Sequence, residues 1–145
     1  MHGLLLALRL ATCPYDSTLA HAAQIVQLPA VMIQSIARVE SGCNPRAVSS
    51  TGALGLLQVL PSWLRSNLNA KCGSDLRDPT VNSCFGTRIL RHYLYRCHGN
   101  WPCALRRYSG GGYIGYERRV YLTLYRLSHR PTPFVTLAVA FPVAP

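Results

Sequence analysis

With 145 residues, 49% of them hydrophobic, the chain is long enough for one domain around a single core and too short for two, and its apolar content excludes an intrinsically disordered protein. Fifteen Lys and Arg against five Asp and Glu leave a net charge of +10, a surface that attracts polyanions such as nucleic acid, anionic lipid or the acidic polymers of a bacterial envelope. All but one of the fifteen cations are Arg, a bias that carboxylate or phosphate recognition and genomic codon usage explain equally well.

Met1 to Thr12 contains the apolar run Gly3 to Leu8, broken by Arg9 and preceded by no cationic stretch. Ala20-His21-Ala22 has the form of a signal-peptidase site, but cleavage there would cut through a helix that Asp16-Ser17-Thr18 opens with N-cap chemistry and that Leu19, Ala22, Ala23 and Val26 continue. Residues 1–15 are therefore expected to be an export-signal remnant or a disordered lead.

A second helix is expected from Pro29, with Met32, Ile33, Ile36, Ala37 and Glu40 along one face and Gly42 as its stop. A short helix over Pro61–Leu68 follows, then a long one from Thr80 to Cys97 after the start signal Asp78-Pro79. A fifth runs from Pro102 to Tyr108, ended by Gly110-Gly111-Gly112, and a last one from Tyr116 to Leu127. No alternating run marks a strand, so the expected fold is mostly α, about six helices in a single domain over residues 16–127. Repeats and Gly/Ser linkers are absent. Residues 128–145, with Pro131, Pro133 and Pro142, read as an irregular tail too short and too interrupted to cross a bilayer, and no other stretch is a transmembrane segment.

Six cysteines in a small chain, with neither a C-x-x-C spacing nor a nearby His pair, favour disulfides in an oxidising compartment over a metal site. Cys97 and Cys103 bracket a short loop that a disulfide can close. Six cysteines allow fifteen pairings, and spacing does not choose among them.

Of the five acids, Asp16 and Asp78 read as helix caps, Asp75 lies in a polar loop, and Glu117 opens a helix beside Arg118 and Arg119. Glu40 is different: it ends an apolar helix at the edge of a loop rich in Gly, Ser and Pro. A carboxyl against an apolar wall titrates high, which is how a general acid stays protonated near neutral pH. Glycosidases ordinarily pair two carboxyls, and no partner for Glu40 is evident from spacing.

The stretch Glu40-Ser41-Gly42-Cys43-Asn44-Pro45, followed by Ala47-Val48-Ser49 and by Gly52-Ala53-Leu54-Gly55-Leu56-Leu57-Gln58-Val59-Leu60-Pro61, resembles the signature of the soluble lytic transglycosylases, lysozyme-like enzymes that cleave bacterial peptidoglycan. Asp78-Pro79, Asn82 and Gly86 are similar to the family's D-P-x-x-N-x-x-x-G helix start. Tyr108-Ser109-Gly110-Gly111 is similar to its Y-N-A-G segment, and Tyr116-Glu117-Arg118-Arg119-Val120 to its closing helix, so the likeness covers roughly Thr18 to Leu127.

The resemblance implies a disulfide-stabilised lysozyme-like domain in which Glu40 is the sole catalytic acid/base. Ser41 would orient it or the substrate, Gln58 would line the groove, and Tyr108 and Ser109 would bind sugar. Tyr116 would reach back to the glutamate. Ser109 replaces the family's usual Asn, which exchanges an amide contact for a hydroxyl. Cys43 lies inside the motif and suggests a disulfide pinning the loop, with Cys13 as one candidate partner. Trp63 and Trp101 suit sugar stacking and core packing equally.

The implied reaction cuts the β-1,4 bond between N-acetylmuramic acid and N-acetylglucosamine without water and leaves a 1,6-anhydro end, the substrate's own acetamido group replacing the second carboxylate. A hydrolytic lysozyme using the same Glu40, and a basic envelope-binding module without activity, are the alternatives. No cofactor or metal is implied. The expected partners are glycan strands and, by likeness to compact members of the family, a secretion, conjugation, pilus or phage assembly; no specific nucleic acid is among them. The expected location is periplasmic, secreted or virion-associated.

Overall fold

The computed structural model describes residues 12–69, 71–112 and 114–129; most of the expected lead (1–11) and of the expected tail (130–145) lie outside the described residues. Five α-helices are present: α1 (Asp16–Ile25), α2 (Ala30–Ser41), α3 (Pro79–Arg96), α4 (Trp101–Tyr108) and α5 (Tyr116–Ser128). Two 3-10 turns, Pro61–Arg65 and Asn67–Asn69, stand where the short helix over Pro61–Leu68 was expected. Pro61 opens the segment, Ser66 adopts an extended conformation, and none of Pro61–Arg65 is fully buried, so no packed face sustains a longer helix. Among the described residues there is no strand, only the isolated bridges Val48 to Leu54 and Leu54 to Val59.

The helix ends follow local chemistry. Asp78 caps α3, its carboxylate accepting from the Thr80 and Val81 amides, with Pro79 in the first position where its missing N–H costs nothing. Asn100 caps α4 by accepting from the Cys103 amide. Gly42 closes α2 at φ +61°, the left-handed conformation that glycine adopts without strain. Asp16 is not the cap of α1 that its residue type predicts: it lies in the first turn, and its two carboxylate oxygens accept from Arg38 at 2.8 and 2.7 Å. That largely buried guanidinium on α2 outcompetes the local amides and fastens α1 to α2.

α2 packs against α1 and α5, and α3 against α1 and α4. Ile33, Ile36, Phe85, Leu90, Leu105 and Val120 are all essentially fully buried between them. Leu56 and Leu57 of the α2–α3 connection join this core. Three disulfides staple it: Cys13–Cys43, Cys72–Cys84 and Cys97–Cys103. Cys13, within the stretch 1–15, is buried in the core rather than detached from it.

Candidate active site

The α2–α3 connection crosses the core as a braced loop. Leu54 and Val59 exchange both backbone hydrogen bonds at 2.9 Å, which turns Gly55-Leu56-Leu57-Gln58 sharply over the helices. Gly55 sits at φ +75°, and a Cβ there would meet the Asn82 side chain and lie 2.6 Å from the Leu76 carbonyl oxygen, so only glycine fits. Asn82, fully buried on α3, accepts from the Leu57 amide and donates to the Leu54 and Leu76 carbonyls, each at 2.8 Å. Four residues on, Gly86 leaves room for the Leu57 side chain, whose Cβ would lie 2.6 Å from a Cβ at that position. The spacing of Asn82 and Gly86 on one face of α3 thus seats the loop.

Ser41 and Tyr108 fasten the same loop from two other helices. Ser41 Oγ, at the end of α2, lies 2.9 Å from the Leu56 carbonyl and 3.1 Å from that of Ala37, so its single proton serves either. Tyr108 Oη, at the end of α4, donates to the Leu57 carbonyl at 2.7 Å. Gln58, at φ +49°, turns its amide back onto the Gly55 carbonyl at 2.9 Å and the Ala47 carbonyl at 3.3 Å. All three side chains therefore spend donors on the scaffold.

Glu40 projects from the last turn of α2 towards the first turn of α5, where Tyr116 Oη donates to its Oε1 at 2.5 Å. Tyr116 is buried at 4% exposure, so this bond crosses between two helices inside the protein. Withdrawal from solvent raises the Glu40 carboxyl above the usual carboxylate range; the Tyr116 hydrogen bond and the charge of Arg119 pull the other way without cancelling it. Burial and the nearby Glu40 carboxylate together push the Tyr116 hydroxyl far above its ordinary range, so it remains a donor at every accessible pH. Tyr108 is raised by the same two causes, which places it within electrostatic reach of Glu40.

Ser109 stands apart from this cluster, its hydroxyl donating back to the Arg106 carbonyl at 3.1 Å. Trp63 packs edge-on against Tyr93 and His92, at centroid distances of 6.1 and 6.4 Å. Arg119 is the residue that sequence reasoning passed over. It lies three positions after Tyr116, hence on the same face of α5, and that spacing was the available signal. Among the described residues no group of three His, Cys, Asp or Glu is placed to hold a metal.

The other four carboxylates are engaged elsewhere. Asp16 is paired with Arg38, Asp75 accepts from the Arg77 amide, Asp78 caps α3, and Glu117 meets Arg106 at 3.0 Å. Chemically, the site is one protonatable carboxyl, oriented by a phenol and set beside a rigid loop.

A family profile described as Transglycosylase SLT domain matches residues 17–117. The chain is 36% identical over 80 residues to the transglycosylase of Enterobacteria phage PRD1, covering 55% of this chain and 28% of that protein. It is 32% identical over 80 residues to the soluble lytic murein transglycosylase of Escherichia coli K12, covering 51% of this chain and 12% of that one. The matches thus span about a quarter or less of these relatives. In structure it is similar to lytic transglycosylase Slt from Pseudomonas aeruginosa, solved as an inactive glutamate-to-glutamine mutant, with TM-score 0.59 and 27% identity over 74% of this chain and 18% of that one. The mostly α, lysozyme-like fold expected from the sequence is the one observed.

Proposed function

The chain belongs to the transglycosylase SLT-domain family, and from that premise we propose that it is a peptidoglycan lytic transglycosylase with Glu40 as its single acid/base. The observation that carries this reading is the Glu40 carboxyl, desolvated and held by Tyr116, in a chain whose other acids are all otherwise engaged. Raised from its usual range, Glu40 holds a proton to donate, and the Tyr116 hydroxyl supports its carboxylate once the proton has gone. Ser41, Gln58 and Tyr108 serve the glycan site through the loop they brace and Tyr116 through Glu40, while Ser109, outside that cluster, offers its hydroxyl at the end of α4.

In the reaction Glu40 protonates the oxygen of the β-1,4 bond as that oxygen leaves C1 of N-acetylmuramic acid. The carbonyl oxygen of the sugar's own acetamido group closes on C1, doing the work of the missing second carboxylate. The 6-hydroxyl then attacks C1, Glu40 takes its proton, the oxazolinium ring opens, and a 1,6-anhydro end remains. No water is consumed, and Glu40 is returned protonated.

An envelope setting, periplasmic, secreted or virion-borne, suits a chain with three disulfides and a phage relative. Among the described residues no helix is long and apolar enough to cross a membrane. The deciding experiment is mass analysis of purified peptidoglycan digested by the protein, beside Glu40→Gln. Anhydro-ended muropeptides that vanish with Glu40→Gln are expected. Reducing ends, one water heavier, make it a hydrolase, and equal release by both proteins removes Glu40 from the chemistry.

A further inference from the structure

A cavity of about 490 Å³ opens between α1 and α3 and shares no residue with the Glu40 site. Thr18, Ala22 and Ile25 form one wall, spaced to lie on one face of α1, and Ile25 is 58% exposed there. Thr80 and the Cys72–Cys84 disulfide face them. No acid lines the cavity, while His21, Lys71 and Arg88 do. Arg88 Nε is buried and has no hydrogen-bond partner among the described residues. The Arg88 side chain as a whole is only half-buried on the cavity wall, so its charge faces the cavity partly screened from water and attracts an anion there. Lys71, the one lysine of the chain, stands at φ +74°, a strained conformation for a side-chain-bearing residue, fixed by the disulfide of its neighbour Cys72 to the α3 wall.

From these features we infer that the cavity is a binding groove for a short carboxylate-bearing peptide, the stem peptide of the glycan polymer, which Lys71 and Arg88 grip by its carboxylates. The threonines and Ala22 leave room for small side chains such as alanine, and Ile25 supplies an apolar contact. The volume lies within the range of small-ligand sites and suits a few residues of chain. Opposite charge across a site closed to acids is the complementarity that selects such a ligand. The source of the peptide rests on the peptidoglycan reading above; the carboxylate chemistry does not.

The test uses the full chain with Lys71 reductively dimethylated by isotope-labelled formaldehyde and a borohydride reductant, which preserves its charge and provides a single lysine reporter. Acetyl-alanyl-glutamate is titrated while the Lys71 methyl and Arg88 Nε–Hε signals are followed by NMR. Saturable movement of both signals is expected, with none from the same dipeptide carrying amides in place of both carboxyls. Arg88→Gln and the exposed Lys71→Ala are each expected to weaken binding about tenfold, the worth of a charge-assisted hydrogen bond. An equal response to the diamide, a response that inorganic phosphate reproduces, or none that saturates overturns the proposal. Peptide binding by a protein that releases no muropeptides sinks the catalytic reading alone, and lysis without peptide binding sinks the groove alone.

Discussion

Glu40 and Tyr116, 76 positions apart, form one hydrogen-bonded unit, and the sign of their coupling can be worked out. Burial raises the folded-state pKa of Glu40 above its unfolded value, so the native protein holds a proton that the unfolded chain has released. Stability tied to Glu40 is therefore undiminished below the ordinary carboxylate range and falls as pH rises through the raised pKa. Glu40→Gln removes that loss: its thermal midpoint is expected to gain on the wild type as pH rises through this window, and calorimetry across pH checks it. Tyr116→Phe deletes a hydrogen bond that lowers the Glu40 pKa, so the alkaline limb of the pH–activity profile moves upward. The rate falls on the order of tenfold or more, the worth of a hydrogen bond to a charged group. Arg119→Gln shifts the limb in the same direction while leaving the hydrogen bond in place; an unshifted limb in both variants argues against Glu40 as the titrating acid.

At the scale of elements, the braced loop 54–59 decides whether the site exists. Three helices hold it, α2 through Ser41, α3 through Asn82 and α4 through Tyr108, and each contributes a polar side chain to a backbone group of Leu54, Leu56 or Leu57. Asn82→Leu leaves the Leu76 carbonyl and the Leu57 amide without their buried partner, while the Leu54 carbonyl keeps the Val59 amide, at roughly 3 kcal/mol. Gly86→Ala drives a methyl into Leu57, an overpacking worth about 1–3 kcal/mol. Urea unfolding measures both. Each variant is expected to lose more activity at a temperature where it is still folded than the exposed Arg118→Ala does, because the displaced loop borders Glu40.

Over the whole molecule, two properties stand out, cross-linking and charge. On chain-entropy grounds the Cys13–Cys43, Cys72–Cys84 and Cys97–Cys103 links are worth roughly 3.5, 3 and 2 kcal/mol respectively. Replacing Cys13 and Cys43 together by Ala is thus expected to be the most costly of the three removals, and it also frees the backbone at position 43, held at φ +66° just beyond the helix that carries Glu40. Comparing thermal midpoints of the three double variants tests the order. The net charge of +10 gives the protein a long-range attraction to an anionic wall, so under the proposed function its affinity for peptidoglycan is expected to fall as salt is raised. An affinity indifferent to salt would assign binding to short-range contacts instead.

Much of this was written in the linear order of residues. Helical periodicity, the Pro and Gly punctuation and the Asp78 cap are local, governed by neighbours within a turn or two, and so α2, α3, α4 and α5 were legible to within a residue or two of their observed starts and ends. The isolation of Glu40 among the acids was equally plain, because five carboxylates can be sorted by their neighbours. What was not legible depends on who wins a competition between distant partners. Asp16 was expected as a cap, yet Arg38 on another helix claims it. Pro61–Leu68 has helix-start chemistry but no buried face to hold a full helix. Cys72 and Cys84 found in each other a partner that spacing left open, whereas Cys13 is the partner the motif suggested for Cys43. Ser41, Gln58 and Tyr108 were read for the polar groups they could offer a sugar; only the fold shows those groups turned to backbone carbonyls. Type and spacing determine which interactions a residue is able to make, and tertiary packing decides which one it makes, since a buried donor or acceptor must be satisfied by whatever group folding brings beside it.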